Sequence, residues 1–392
     1  MGSSQHRYPY KSFWKRFLAG CLDAIGAVLY GFPARFFRKP LDLASVRRIL
    51  VIRLDHIGDV VMTRPAIRAL HKKFPHASID LAVDEEIAPL FESAKEIRTV
   101  IPVKHHCFSR KATLRQKWAA FGRLAGLLKE QYYDLGFEFR GDLRNILLMW
   151  LAGVRYRVGF GRTGGGFLLH ENVPYDASQH QVRLNLSLLN SFHIAQDNKL
   201  LPFEYAPEKA REFWETVGQV SPTTALPRVV VHLDAGYPSK RWPFENFRAL
   251  IQTIDQEALA QIVLIGTQSE REQDPDLKIR SERFIDMRGK TALRDLPILF
   301  DACDIFIGND SGPSHIAAAQ GLEIILLASG TNDMRVWYPW TERLSLLQHE
   351  VPCAPCELPA CPIEGHPCME MITVDQTFDA FQSVLGRLQK RA

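Results

Sequence analysis

The sequence predicts an α/β protein of two successive Rossmann-like domains, each a parallel sheet wrapped by crossover helices, facing a central cleft. Three observations predict this. The 392 residues exceed what one domain usually holds. Apolar runs of strand length alternate with helical stretches from about residue 46, and again from 228. An irregular, Pro-bearing stretch separates the two series. The expected layout is an extension over 1–45, a first domain over 46–205, a linker over 206–227 and a second domain over 228–392.

In the first series, strands are predicted over 48–54, 78–83, 134–139 and 155–160, with helices over 60–74, 112–131 and 142–152. In the second, strands are predicted over 228–234, 261–266, 284–288, 304–308 and 323–328, with helices over 244–255, 293–303 and 313–320. Ligands of such sheets bind at the carboxyl ends of the strands, so the loops that follow them are where function is sought.

Composition narrows the class. The chain is 46% hydrophobic and 23% charged, as ordinary globular proteins are. Its net charge of +4 is unevenly placed. Residues 1–48 hold nine Lys/Arg against Asp23 and Asp42, which leaves 39 basic and 42 acidic residues in the rest. A mildly acidic body argues against a broad nucleic-acid footprint, and no nucleic-acid partner is expected. A basic end suits an anionic membrane surface. Residues 8–39 mix Phe13, Trp14, Phe17, Leu18 and Leu22 at helical spacing with Lys11, Lys15 and Arg16, as interfacial anchors do. The alternative is a helix packed on the protein's own body. No run of about twenty uncharged apolar residues exists to span a bilayer. Leu18 to Cys21 looks like a lipoprotein cleavage box, but Arg16 denies it an apolar core. The seven Cys, an odd number with no signal peptide, point to a reducing cytoplasm. The expected location is the cytoplasmic face of a membrane, held peripherally.

Three loops stand out. Asp59 follows Gly58 where the first strand turns into a helix; Gly58 permits a tight turn, and Asp59 either points into the cleft or merely caps the helix. Lys240 and Arg241 follow the first strand of the second series, where a phosphate would lie; a solvated basic loop beside a packed Trp242 is the plainer reading. At 308–315 a strand ends, a turn follows and a helix opens with Pro313 near its first position. Backbone N–H groups from Gly312 to His315 and the helix dipole would favour an anion, with Asp310, Ser311 and Ser314 adding polar groups. An ordinary capped helix is the alternative.

Other patterns are weaker. The loop 162–166 (RTGGG) lacks the Lys-Ser/Thr of a P-loop and reads as a hairpin or flexible loop. No G-x-G-x-x-G follows the first strand, which disfavours a dehydrogenase. Cys353, Cys356, Cys361 and Cys368 cluster near His366; Cys353 and Cys356 have metal-ligand spacing, but no second clean C-x-x-C follows. Zinc and a plain reduced loop are both open, and the expectation is no metal and no cofactor.

Taken together, 49–65 (ILVIRLDHIGDVVMTRP), 157–160 (RVGF), 240–243 (KRWP), 308–321 (GNDSGPSHIAAAQG) and 353–369 (CAPCELPACPIEGHPCM) resemble glycosyltransferase family 9, the ADP-heptose:lipopolysaccharide heptosyltransferases. The pieces run in family order from about residue 47 into the C-terminal region. The resemblance implies a GT-B fold and a metal-independent, inverting transfer of a heptose or related sugar from an ADP-sugar, ADP-heptose first, to a lipopolysaccharide core or lipid A-type saccharide. It places the catalytic base on Asp59, the donor phosphates on Lys240, the donor site along Asp310, Ser311, Gly312 and Ser314, and the ribose on Glu270. The long basic extension, and Ser314 where relatives often carry an apolar residue, depart from the family pattern and leave the acceptor open. Alternatives are a family member that uses another nucleotide sugar, and a nucleotide-binding scaffold without catalysis; the joint presence of Asp59 and Lys240 counts against the scaffold.

Overall fold

The computed structural model describes residues 12–32, 40–104, 113–194, 197–217, 226–273, 277 and 279–390. The chain forms two compact units, Met1–Lys199 and Leu200–Ala392.

Unit 1 begins with helix α1 (Phe13–Gly26), continued by a π-helical turn over Ala27–Gly31. Its six strands are β1 (Arg48–Ile52), β2 (Ser78–Asp84), β3 (Thr99–Val103), β4 (Leu135–Glu138), β5 (Tyr156–Gly159) and β6 (Glu171–Asn172). Among them run α2 (Ile57–Val61), α3 (Arg64–Lys73), α4 (Leu114–Lys129) and α5 (Leu143–Leu151), and α6 (Gln181–Ser187) follows β6. All pairings are parallel, in the order β3-β2-β1-β4-β5-β6. Parallel central strands are covered on both faces, so β1 reads RILVI and buries Ile49 to Ile52 completely.

Unit 2 opens with α7 (Pro207–Val217), which buries Phe213 inside the stretch expected to be an irregular linker. Then come β7 (Arg228–His232), α8 (Phe244–Gln256), β8 (Gln261–Ile265), α9 (Gln268–Gln273), β9 (Phe284–Asp286), α10 (Leu296–Asp301) and β10 (Ile305–Asn309). The unit closes with α11 (Gly312–Gln320), β11 (Glu323–Ala328), α12 (Met334–Trp337), β12 (Leu344–Gln348), α13 (Pro367–Glu370) and α14 (Val374–Gln389). Its sheet, order β12-β11-β10-β7-β8-β9, is also wholly parallel. Read from its own first strand, that is the same order as in unit 1.

Two local expectations change. The single helix predicted over 60–74 is broken between α2 and α3, because Pro65 has no N–H to continue the helical ladder. The Gly-rich loop at 162–166 is a tied-down turn rather than a hairpin. Gly164 and Gly165 take left-handed φ of 108° and 81°, and Thr163 N donates to Gly141 O at 2.9 Å.

The described part of the N-terminal extension packs on unit 1 with one face. Asp23 is buried and accepts from Gly165 N at 2.6 Å. Tyr30 Oη accepts from Trp150 Nε1 at 2.9 Å. The opposite face leaves Phe13, Trp14, Phe17, Leu18 and Leu22 exposed. The rest of the expected anchor, 8–11 and 33–39, lies outside the described residues. Among the described residues no helix is long and apolar enough to cross a membrane.

Candidate active site

Each sheet reverses its strand order once, between β1 and β4 in unit 1 and between β7 and β10 in unit 2. Crossovers leave such a point on opposite faces, so the carboxyl ends of the two strands open a crevice there. The candidate residues of each unit gather at its reversal point.

In unit 1 the centre is Arg53, which leaves the end of β1 and is 2% exposed. Its Nη2 holds Asp59 Oδ1 at 2.7 Å, its Nη1 donates to Phe139 O beyond β4, and Asp55 lies 3.8 Å away. Asp59 is buried in the first turn of α2, whose N-cap is His56; no side chain caps the helix. The side chain therefore does not serve as a cap. It is an ion-pair partner whose second oxygen, Oδ2, lies 3.7 Å from His56 Nδ1. Gly58 lies inside α2 without a left-handed φ. The turn expected of it is made earlier, at Asp55 and His56.

The charges around Asp59 constrain one another. Contacts with Asp55, and then with Asp59, push the exposed His56 imidazole well above its ordinary range. Burial pushes the Asp55 carboxyl up, but the bond from His56 and the charges of Arg53 and Arg140 outweigh it and hold the group at about 2. Glu138, at the end of β4, is pushed up to about 7 by burial, against bonds from Asn145 Nδ2 at 3.0 Å and Gly141 N at 2.5 Å. Asp55, His56 and Asp59 offer ligand atoms within 4.8 Å of one another. Arg53, Arg140 and His56 already supply countercharge to these carboxylates.

In unit 2, Lys240 Nζ holds Asp310 Oδ2 at 2.7 Å, and Asn332 Nδ2 donates to the same oxygen at 2.8 Å. The loop bearing Lys240 is fixed by buried Trp242, whose N donates to Asn309 Oδ1 at 2.9 Å and whose Nε1 donates to Ile372 O at 2.8 Å. Ser311 is the N-cap of α11, with Pro313 in the first turn. Pro313 has no N–H, and Ser314 N already donates to Ser311 O at 3.2 Å. The helix end is thus a smaller donor set than the sequence suggested. His315 is buried in the same turn. Beside it His232, at the end of β7, contacts Ser311 Oγ through Nδ1 at 3.3 Å and lies 3.8 Å from Glu270 through Nε2. Burial lowers His232 to about 4, so it is neutral. Glu270 caps its own helix, accepting from Thr267 N at 2.9 Å. Lys240, Asp310, Ser311, Gly312, Ser314, His315 and Glu270 thus line the reversal point of unit 2.

The family profile "Glycosyltransferase family 9 (heptosyltransferase)" matches residues 121–366, more than half of the chain. The chain belongs to glycosyltransferase family 9. It is therefore a glycosyltransferase. Lipopolysaccharide heptosyltransferase 3 of Escherichia coli is 25% identical over 304 residues, which cover 73% of this chain and 84% of that protein. The structure of E. coli ADP-heptose lipopolysaccharide heptosyltransferase II superposes with a TM-score of 0.71 at 21% identity, covering 88% of this chain and 100% of that one. E. coli heptosyltransferase WaaC, solved with ADP, gives 0.68 at 17% identity, covering 86% and 99%. The fold of this family 9 chain is GT-B.

Glu138 and His232 of this glycosyltransferase were missed in the sequence; both end strands, where a charged residue usually meets solvent. Their strand-end position was the available signal. Arg53 lay within the matched stretch 49–65 but was given no role there. The cysteines also gain a place. Cys353, Cys356, Cys361 and Cys368 are free thiols. Their loop is bound by backbone to the loops around Lys240 in unit 2: Cys356 N donates to Gly330 O at 3.0 Å, and Ser239 N, next to Lys240, donates to Pro359 O at 3.2 Å. Burial, then nearby Gly330 N–H and the other three thiols, act on Cys368, with a net upward push.

Proposed function

We propose that this glycosyltransferase moves a heptose from an ADP-sugar to a lipopolysaccharide core or lipid A-type saccharide, with inversion and without a metal. The observation that carries the reading is the Lys240–Asp310 pair beside the N-terminus of α11, at the reversal point of unit 2. A cation and a helix N-terminus together suit a diphosphate. Relatives support ADP as the nucleotide: one was solved with ADP and another structure with ADP-2-deoxy-2-fluoro heptose.

In this reading unit 1 binds the acceptor and unit 2 the donor. The acceptor oxygen attacks the anomeric carbon as the carbon–oxygen bond to the diphosphate breaks. The hydroxyl proton passes to Asp59 Oδ2, the oxygen not held by Arg53. ADP leaves with one more negative charge, which Lys240 and the amides of α11 stabilise. Glu270, held by Thr267 N at 2.9 Å, takes the ribose. The enzyme works peripherally at a cytoplasmic membrane face, with residues 8–39 on the lipid. No nucleic acid takes part.

A product screen by mass spectrometry with ADP-, UDP- and GDP-sugars on lipid A-type acceptors tests the donor. ADP-heptose should give product and metal chelation should leave the rate unchanged; product from UDP- or GDP-sugars alone would overturn the donor assignment. Deleting residues 1–39 should release the protein from anionic vesicles. Equal sedimentation of both forms would remove the membrane from the reading.

A further inference from the structure

The described N-terminal helix has two faces of opposite character. Inward, Asp23 is buried and accepts from Gly165 N at 2.6 Å. Gly26 lies so close to Phe167 that a Cβ there would meet the ring at 2.5 Å. Tyr30 hydrogen-bonds Trp150 at 2.9 Å and packs edge-on against Phe167, ring centroids 6.5 Å apart. Outward, Trp14, Leu18, Ile25, Val28, Leu29 and Phe32 are 59–74% exposed. Between Phe13 and Phe32 the charged residues are Lys15, Arg16 and Asp23, and the one carboxylate is the buried one. The outer face is therefore apolar, with exposed Lys15 and half-buried Arg16 near its start and no exposed acid.

The inner contacts lead toward Asp59. Gly165 belongs to the turn after β5, at the carboxyl end of the sheet. In that turn Thr163 N donates to Gly141 O at 2.9 Å, and Thr163 Oγ1 accepts from Leu143 N at 2.8 Å. Next to Gly141, Arg140 donates to Leu54 O at 2.7 Å and pairs with Asp55 at 3.5 Å. Asp55 stands four residues before Asp59 in the Arg53 cluster.

We propose that α1 and its π-helical turn are an in-plane anchor for an anionic lipid bilayer, locked onto unit 1 by Asp23, so that binding the bilayer fixes the orientation of the Asp59 end of the sheet. This rests on the membrane association proposed above and adds the rigid coupling. The occupant is lipid because the outer face joins aromatic and aliphatic side chains to cations without an exposed carboxylate, on a helix that does not span. Flanking Arg35, Arg38 and Lys39 extend the positive charge along the sequence. A flexible tether needs no buried acid on its docking face; this helix has one, bonded to a left-handed glycine.

The test uses the full chain with phosphatidylglycerol–phosphatidylethanolamine vesicles, against phosphatidylcholine vesicles, read by sedimentation and by amide hydrogen exchange. Wild type should sediment with the anionic vesicles, with the Gly165 amide protected both free and bound. The double variant Leu18→Glu/Leu29→Glu should lose about tenfold or more in vesicle affinity while Gly165 stays protected. Asp23→Ala should keep its vesicle affinity but lose protection across 161–166. Faster Gly165 exchange in wild type on vesicle binding, or unchanged protection in Asp23→Ala, would overturn the rigid coupling and leave the membrane reading standing. Absence of wild-type sedimentation, with dimers in light scattering that the Leu18→Glu/Leu29→Glu change abolishes, would make a second copy the occupant and overturn both.

Discussion

Replacing Asp59 by asparagine separates chemistry from stability, and the structure sets the size of both effects. Asp59 is buried and holds Arg53 at 2.7 Å, and Arg53 is 2% exposed. Removing one partner of a buried ion pair costs roughly 3–5 kcal/mol. Here the loss is smaller, because asparagine keeps an acceptor for Arg53, Asp55 remains 3.8 Å away, and Phe139 O still accepts from Arg53. A loss of roughly 1–3 kcal/mol is expected. For a unit of this size that lowers the melting temperature by roughly 2–12 °C, at about 2–4 °C per kcal/mol. Such a variant stays folded at assay temperature, since domains are stable by roughly 5–15 kcal/mol. If Asp59 accepts the acceptor's proton, turnover should nevertheless fall by about 10²–10⁴-fold with donor affinity kept. Thermal melts, calorimetric ADP binding and initial rates on one preparation decide it. A folded, ADP-binding Asp59→Asn protein with near-normal turnover would refute the base assignment and leave Asp59 as the counter-ion of Arg53 alone.

Lys240→Ala should weaken ADP binding by about ten- to hundred-fold, since a hydrogen bond to a charged group is worth roughly 1.5–3 kcal/mol; unchanged affinity by calorimetry would exclude Lys240 from the donor site. Elemental analysis of protein purified without added metal should find no stoichiometric metal at Cys353, Cys356, Cys361 and Cys368, and one zinc per chain would overturn that expectation. His232 is held near 4, below its ordinary 6.5, by burial, so the unfolded chain binds its proton first as pH falls. Its contribution is fully present above about 6.5 and is lost toward pH 4, by roughly 1–3 kcal/mol. His232→Gln should flatten that limb in chemical unfolding between pH 4.5 and 7, and an unchanged slope would show that another group carries it.

The central strands were legible because parallel strands covered on both faces become unbroken apolar runs, as in RVVVH, QIVLI and EIILLA. One edge, β9, was predicted over 284–288; the other three edges were not legible. β6 has two residues, and β3 and β12 are mostly half-exposed, so no wholly buried run marks them. At the site, Asp59, Lys240 and 308–315 stood out because the chain itself juxtaposes strand end, turn and helix start. Arg53, Glu138, His232 and Asn332 acquire meaning through partners far along the chain, such as Phe139 for Arg53 and Asp310 for Asn332. Gly58 was misread because a glycine beside a strand end suggests a turn, whereas here it sits inside a helix. The N-terminal helix left two readings open from its sequence, because burial of Asp23 against Gly165 depends on a loop more than a hundred residues away.

The sheet edges bear on how the protein behaves at high concentration. A row of unpaired backbone groups invites strand addition from another molecule, and such growth is the usual route to β-type precipitates. Three of the four edges here are poor templates. β6 has two residues and β9 three, and β3 carries Pro102, which has no N–H to donate. Self-association in lipid-free buffer should therefore start from the apolar outer side of α1 rather than from these three edges. A mild detergent, or the Leu18→Glu/Leu29→Glu change, should raise the solubility ceiling of a preparation more than any surface change on the strands.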